Sequence, residues 1–140
     1  MSTPRLLSVL VVDDSALVRD RLRRMLEESD SRCVVMEAAS VAEATRALEN
    51  LRPDVVVLDL SLPDGRGFDL LPLLKRVAPK CAVILLTNHE TQIIRERAMR
   101  LGADYVFQKS IHFELVPVVM QRVATQLRAG TVPKSKPQIE

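Results

Sequence analysis

No stretch of the 140 residues is apolar over the length that a bilayer-spanning helix needs. The first residues, Met-Ser-Thr-Pro-Arg, carry no apolar core followed by a cleavage site, so no secretory leader is expected and the chain reads as cytoplasmic. Cysteine is scarce. Cys33 and Cys81 stand inside apolar stretches at no metal-binding spacing, which predicts two buried thiols in a reducing compartment rather than a disulfide. A large excess of charge of one sign is also missing. The net charge is +2 and, outside residues 19–24, the basic residues are interleaved with acids, which gives little ground for a nucleic-acid surface. The signature of disorder is absent too, since 47 % hydrophobic and 27 % charged residues make a balanced globular composition. This length suits one domain with one sizeable core, and neither an internal repeat nor a linker to a second domain is visible.

What the chain has is alternation. Residues 6–12 form a nearly continuous apolar run that stops at Asp13-Asp14 and predicts a strand covered on both faces. Val18, Leu22, Met25 and Leu26 then recur at helical spacing, with the charge pairs Asp20/Arg24 and Arg24/Glu28 on the other side. Residues 33–36 make a second strand. Ser40 and Glu43 have the spacing of a capping box, after which Val41, Ala44, Leu48 and Leu51 give a helix that Pro53 ends. Residues 55–58 are the strongest strand signal and terminate at Asp59. Residues 60–67, with Pro63, Gly65 and Gly67, predict a loop, and Phe68, Leu71 and Leu74 a third helix that tolerates Pro72 in its first turn. A fourth strand over 81–86 ends at Thr87. Ile94, Ala98 and Leu101 mark a helix closed by Gly102. Residues 105–107 form a fifth strand just before Lys109, and a last helix is predicted over about 112–127. Residues 1–129 thus read as one domain and 130–140 as a flexible tail.

Five strands alternating with five helices predict a parallel sheet wrapped on both faces, whose ligand site lies beyond the carboxyl ends of the strands where strand order reverses. That rule gathers Asp13, Asp14, Asp59, Thr87 and Lys109. Three neighbouring carboxylates repel one another unless a cation is present, and a hard divalent ion such as Mg²⁺ suits oxygen ligands of this kind. A lysine ammonium and a threonine hydroxyl beside it would receive a doubly charged phosphoryl group. Singly, each residue is no more distinctive than a helix cap, and Asp14 or Ser15 could cap the first helix. Five such positions at successive strand ends are a joint signal.

With these residues on one sheet end, the chain resembles the receiver domain of two-component response regulators from Leu6 to about Leu127. The resemblance rests on Val11-Val12-Asp13-Asp14-Ser15, on Asp59-Leu60-Ser61-Leu62-Pro63-Asp64-Gly65-Arg66-Gly67, on Leu85-Leu86-Thr87, and on Gly102-Ala103-Asp104 leading to Lys109. It implies a flavodoxin-like, doubly wound sheet of order 2-1-3-4-5 and a phosphoryl transfer from a kinase phosphohistidine to Asp59. It further implies that Asp14, Asp59 and the backbone carbonyl of Ser61 bind Mg²⁺ directly, that Asp13 holds the ion through water, and that Thr87 and Lys109 hold the phosphoryl oxygens. The implied partners are a histidine kinase or histidine phosphotransfer protein and a downstream protein target, with no membrane and no direct nucleic-acid contact. A monomer or weak dimer is expected, catalysing only its own phosphorylation and dephosphorylation. Readout would pass through Thr87 to the fourth helix and fifth strand.

Four features depart from the family pattern. Asn88 follows Thr87 where a small residue is usual, Val106 stands where many members carry an aromatic switch residue, and Ser110 replaces the usual proline after Lys109. Ser61 and His89 occupy positions that tune hydrolysis. Strand alternation points Tyr105 and Phe107 to the face opposite Val106. Arg19, Arg21, Arg23 and Arg24 read either as a solvated helix face or, by the resemblance, as a determinant of kinase choice. The runner-up reading is the N-terminal receiver of a longer DNA-binding transcriptional regulator, with residues 131–137 opening a linker. A haloacid-dehalogenase-type phosphatase would need its two aspartates two residues apart after the first strand, which adjacent Asp13-Asp14 does not provide. A receiver that binds partners without being phosphorylated would have no use for the intact acidic set.

Overall fold

In the computed structural model, described over residues 5–89 and 91–130, apolar runs and amphipathic stretches alternate along the chain. The order is β1 (Leu7–Val12), α1 (Ala16–Ser29), β2 (Cys33–Ala38), α2 (Val41–Ala47), β3 (Val55–Asp59), β4 (Ser61–Leu62) and β5 (Gly65–Arg66). A 3₁₀ turn (Gly67–Leu70) leads into α3 (Leu71–Val77), β6 (Ala82–Thr87), α4 (Gln92–Leu101), β7 (Tyr105–Gln108), α5 (Lys109–His112) and α6 (Leu115–Arg128). Five strands pair in parallel in the order β2-β1-β3-β6-β7, the 2-1-3-4-5 arrangement expected. The reversal falls between β1 and β3, which places the ends of those two strands beside the ligand crevice of such sheets. The tail expected from residue 130 onward falls, beyond Gly130 itself, outside the described residues.

The continuous apolar runs are explained by the two layers they face. Leu7, Val9 and Val11 of β1 join one cluster with Leu22 and Leu26 of α1 and Val116, Val119 and Met120 of α6. Leu10 and Val12, pointing the other way, join Ala44 of α2, Leu71 and Leu74 of α3 and Ala98 of α4. Side chains on both faces of the central strands are almost wholly buried, so that region of the sheet tolerates no polar substitution on either side. Cys33 and Cys81 are free, buried and on opposite faces, which rules out a disulfide between them. Burial pushes the Cys81 thiol far above its ordinary range.

Two elements differ from the sequence reading. The segment expected as a plain loop after Asp59 contains a two-residue antiparallel hairpin, in which Ser61 pairs with Arg66 and Leu62 with Gly65. A short helix precedes the last one, which itself runs close to the expected 112–127. The four-residue helix α5 starts at Lys109 and is followed by α6. The His112 ring accepts a bond from the Gln108 N–H at 3.1 Å, which closes this turn.

Candidate functional site

The carboxyl ends of β1 and β3 bring Asp13, Asp14 and Asp59 together, with one oxygen from each lying within 4.8 Å of the others. Asp13 and Asp59 are buried while Asp14 is exposed, so the cluster has one open side. Ser15, not Asp14, caps α1: its hydroxyl accepts the Val18 N–H at 3.2 Å. The Asp14 carboxylate is therefore not spent on capping and is the exposed member of the cluster. Asp13 is fixed more tightly. Its Oδ1 accepts the Ser15 N–H at 2.8 Å, and its Oδ2 takes a bond from the Lys109 ammonium at 2.8 Å.

Lys109 arrives from the end of β7 and spans the cluster, its Nζ also lying 3.3 Å from Asp59 Oδ2. Its side chain is 15 % exposed against 2 % and 7 % for the two acids, so this ion pair is desolvated and only weakly screened. Burial acts to lower the Lys109 pKa, but the bond to Asp13 and the charges of Asp59 and Asp13 outweigh it and raise the pKa above its ordinary value. Asp59 is held above the usual carboxylate range, first by burial and then by the charge of Asp13, with Lys109 only partly offsetting them. Three carboxylates and one ammonium leave an excess of two negative charges. A divalent cation with oxygen ligands matches that excess in charge and chemistry, so the donor set fits Mg²⁺.

Thr87 ends β6, next to Asp59 in register (Asp59 pairs with Leu86), and is buried. Its hydroxyl is occupied locally: it donates to the His89 carbonyl and accepts the His89 N–H, both at 3.2 Å. Ser61 donates its N–H to Asp59 Oδ1 at 3.2 Å from the start of the hairpin. Asn88 and His89 are exposed.

A scan against protein families matches the response regulator receiver domain over residues 9–120. The chain belongs to the response regulator receiver family. Among curated relatives, the receiver is 36 % identical over 133 residues to protein-glutamate methylesterase/protein-glutamine glutaminase 1 of Myxococcus xanthus, covering 93 % of this chain and 38 % of that protein. It is 35 % identical over 116 residues to Protein CcdB of Bacillus subtilis, covering 80 % of this chain and 96 % of that protein. The chain spans well under half the length of the methylesterase relatives it matches. A solved signal receiver domain of a DNA-binding response regulator from Colwellia psychrerythraea superposes with a TM-score of 0.80 at 27 % identity, covering 86 % of this chain and 99 % of that one. A CheY-like receiver domain protein from Methanospirillum hungatei gives 0.78 at 25 %, covering 89 % and 99 %. The receiver is thus a two-component signalling domain. Among its described residues no helix is long and apolar enough to cross a membrane.

Several supports of the site are not apparent from sequence spacing. Gly67 lies so close to β3 that an added Cβ would run into the Asp59 backbone carbonyl, and its N–H donates to Leu60 at 2.7 Å. Asp64, in the hairpin that follows Asp59, accepts the Val41 and Ala42 N–H groups at 2.8 and 3.0 Å and so ties that hairpin to the start of α2. The expected Ser40/Glu43 box forms with a shift: Ser40 caps Glu43, but the Glu43 carboxylate reaches back to Ala39. Two of the four arginines of α1 are drawn off the solvated face. Arg19 and Arg23 both bond Glu37, and Arg21 stacks over the Phe113 ring at 4.3 Å. Arg21 and Arg24 remain exposed, the latter paired with Asp20.

Proposed function

We propose that the receiver accepts a phosphoryl group on Asp59 from a phosphohistidine of a histidine kinase or phosphotransfer protein, and that the phosphorylated form binds a downstream protein differently. The observation that carries this is the buried Asp59 carboxylate, clustered with Asp13 and Asp14 and faced by the Lys109 ammonium 3.3 Å away. An Asp59 oxygen would attack phosphorus in line, forming the O–P bond as the P–N bond to the donor imidazole breaks, with the leaving nitrogen taking up a proton. Positioning and charge neutralisation are all the protein needs to supply. Asp14, Asp59 and the Ser61 carbonyl would hold Mg²⁺, with Asp13 linked through water; when bound, the ion supplies positive charge to the phosphoryl oxygens. Lys109 would shift from its carboxylate partners toward the new phosphoryl oxygens, leaving Asp13 to the metal.

Thr87 would follow. Its bonds to His89 are an exchangeable local turn, so a phosphoryl oxygen could take the hydroxyl and pull the β6–α4 loop with it. Val106 cannot act as an aromatic switch: it is buried among α4-side residues, while Tyr105 and Phe107 lie in the opposite cluster. A contact of a different kind links the same elements, the Arg95 guanidinium of α4 donating to the Val106 carbonyl at 3.1 Å. We place the readout in α4 and β7 through that contact.

A second reading makes this receiver the regulatory part of a longer protein, as its 38 % and 37 % spans of two methylesterase relatives would suggest. A DNA-binding output is the other form of that reading; the length of the encoded protein distinguishes both from a stand-alone receiver. The phosphoacceptor role is tested by incubation with Mg²⁺ and a small-molecule phosphodonor, read by intact mass. One added phosphoryl is expected on wild type and none on Asp59→Asn. Failure of wild type to be labelled while a control receiver is labelled would remove the proposal.

A further inference from the structure

Arg19 belongs to α1, yet one end of its guanidinium leaves the helix surface and donates to the backbone carbonyl of Asp13 at 2.7 Å. That carbonyl lies past the end of β1 and is one face of the Asp13–Asp14 peptide. The same guanidinium donates through Nε to Glu37 at 3.0 Å. Glu37 stands near the end of β2 in register with Val11, and its other oxygen takes bonds from Arg23 at 2.7 and 3.0 Å. Arg23 is itself anchored to the Val35 carbonyl at 3.0 Å. The result is a chain of charge-assisted bonds from the β2 edge through Glu37 and Arg19 to the turn that carries the two acids. The Arg19 side chain is only 18 % exposed, which takes it out of use as a docking surface.

The geometry around Asp13 explains what such a bond would do. The Asp13 N–H is held by the Ala38 carbonyl at 3.0 Å, and its carboxylate by Ser15 and Lys109. The remaining freedom is rotation of the Asp13–Asp14 peptide plane, which changes ψ of Asp13 and φ of Asp14 together. Rotating that plane swings the Asp14 Cβ. Asp14 takes no capping bond, so nothing in its own side chain restores its position. A guanidinium on the Asp13 carbonyl fixes the plane.

We infer that Arg19 is a positioning residue of the acidic site, held by Glu37, which sets where the Asp13 and Asp14 carboxylates stand. This rests on the reading of those carboxylates as Mg²⁺ ligands. Groups that orient ligands from outside the coordination sphere commonly change metal affinity by about 10- to 100-fold. Arg19 acts on one backbone plane rather than on a ligand atom, so the low end of that range applies.

The test is calorimetric titration of the unphosphorylated protein with Mg²⁺ alone, on wild type, Arg19→Gln and Arg23→Gln. Arg23 shares Glu37 with Arg19 but does not touch Asp13, so it controls for loosening of α1. Arg19→Gln is expected to bind Mg²⁺ about tenfold more weakly, and Arg23→Gln as tightly as wild type, whatever the two cost in thermal stability. In metal-free protein the Asp14 amide resonance should move in Arg19→Gln and stay in place in Arg23→Gln. Wild-type affinity in Arg19→Gln would overturn the inference, and so would an equal loss in both variants. If Arg19→Gln does not fold, Arg19→Lys decides the question by the same comparison. Its single ammonium lacks the planar fork that holds the Asp13 carbonyl and Glu37 at once, so the Asp13–Asp14 peptide is held less firmly and Mg²⁺ should bind more weakly than in wild type; unchanged binding would overturn the inference. A wild type that binds no Mg²⁺ would remove the metal reading itself, a different result from tight wild-type binding that Arg19→Gln leaves unaltered.

Discussion

Replacing Lys109 with Gln removes the cation that pairs with Asp13 and Asp59 while keeping the side chain's approximate reach. In the wild type its Nζ is 2.8 Å from Asp13 and 3.3 Å from Asp59, all three groups being largely buried. Taking one partner from a buried pair costs about 3–5 kcal/mol, because the remaining charge is left desolvated. Here the cost should fall below that range, at about 2–3 kcal/mol, since the Asp59 carboxyl is already held high by burial and can take up a proton instead. For a domain of this size that is a fall in Tm of about 10 °C. The assay is thermal unfolding by far-ultraviolet circular dichroism at neutral pH, first with EDTA and then with Mg²⁺. With Lys109 gone the site has a larger charge deficit, so Mg²⁺ should bind more tightly and raise Tm by more than it does in wild type. Phosphorylation of Asp59 should nevertheless slow, because a cation for the phosphoryl oxygens is missing. The sign in pH is also set. The raised Lys109 pKa gives stability that is present below the lysine's unfolded value and is lost only as pH rises through the higher folded one. Wild type and variant should therefore converge only in strongly alkaline solution. An unchanged Tm in EDTA, or a smaller Mg²⁺ effect in the variant than in wild type, would refute the electrostatic reading.

Asp59→Asn should stabilise the metal-free domain. Because folding raises the Asp59 pKa, the native state binds more protons than the unfolded one between the two values, and wild type loses stability as pH rises through that window. The advantage of the variant, followed by urea unfolding in EDTA, should grow across the window and then level off; an advantage independent of pH would contradict the assigned cause. Gly67→Ala drives a methyl group into the Asp59 carbonyl, and a loss of about 1–3 kcal/mol together with slower phosphorylation is expected from the forced backbone shift. Normal labelling of Asp59 at wild-type stability would show that the contact relaxes without disturbing the site. Arg128 joins the end of α6 to the buried Asp30 carboxylate and to the Arg5 and Arg32 carbonyls. Arg128→Ala should cost about 3 kcal/mol by chemical denaturation. The hydrogen bond from Arg128 is the chief cause that lowers the Asp30 pKa in the folded state, so this stability is present above the unfolded pKa and is lost as pH falls through the folded one. The gap between wild type and variant should narrow in acid.

The sheet was readable because its information is local. Residues 6–12 and 55–58 are apolar at every or nearly every position, which only a strand covered on both faces requires, and each run stops at the carboxylate that later meets the others. The convergence of Asp13, Asp14, Asp59 and Lys109 followed from topology plus one rule about parallel sheets. What escaped was set by tertiary partners. Nothing in the spacing of Asp64 reveals that its carboxylate will cap α2, 23 residues earlier. The arginines of α1 look like a solvated face until Glu37 arrives from β2 to take two of them. The short helix over 109–112, ahead of the last helix expected from about 112, depends on one imidazole accepting the Gln108 N–H, a bond that periodicity does not reveal. Thr87 was correctly assigned to a strand end, but its hydroxyl is turned into a local bond with His89 rather than waiting in the crevice.

The central claim is that Asp59, and neither of its two acidic neighbours, carries the phosphoryl group. Borohydride reduction of the phosphorylated protein converts an aspartyl phosphate to homoserine at the modified position, and peptide sequencing by tandem mass spectrometry then reads that position. Homoserine at residue 59 alone, dependent on Mg²⁺ and on prior exposure to a phosphodonor, is the predicted result. Homoserine at Asp13 or Asp14, with residue 59 intact, would contradict it.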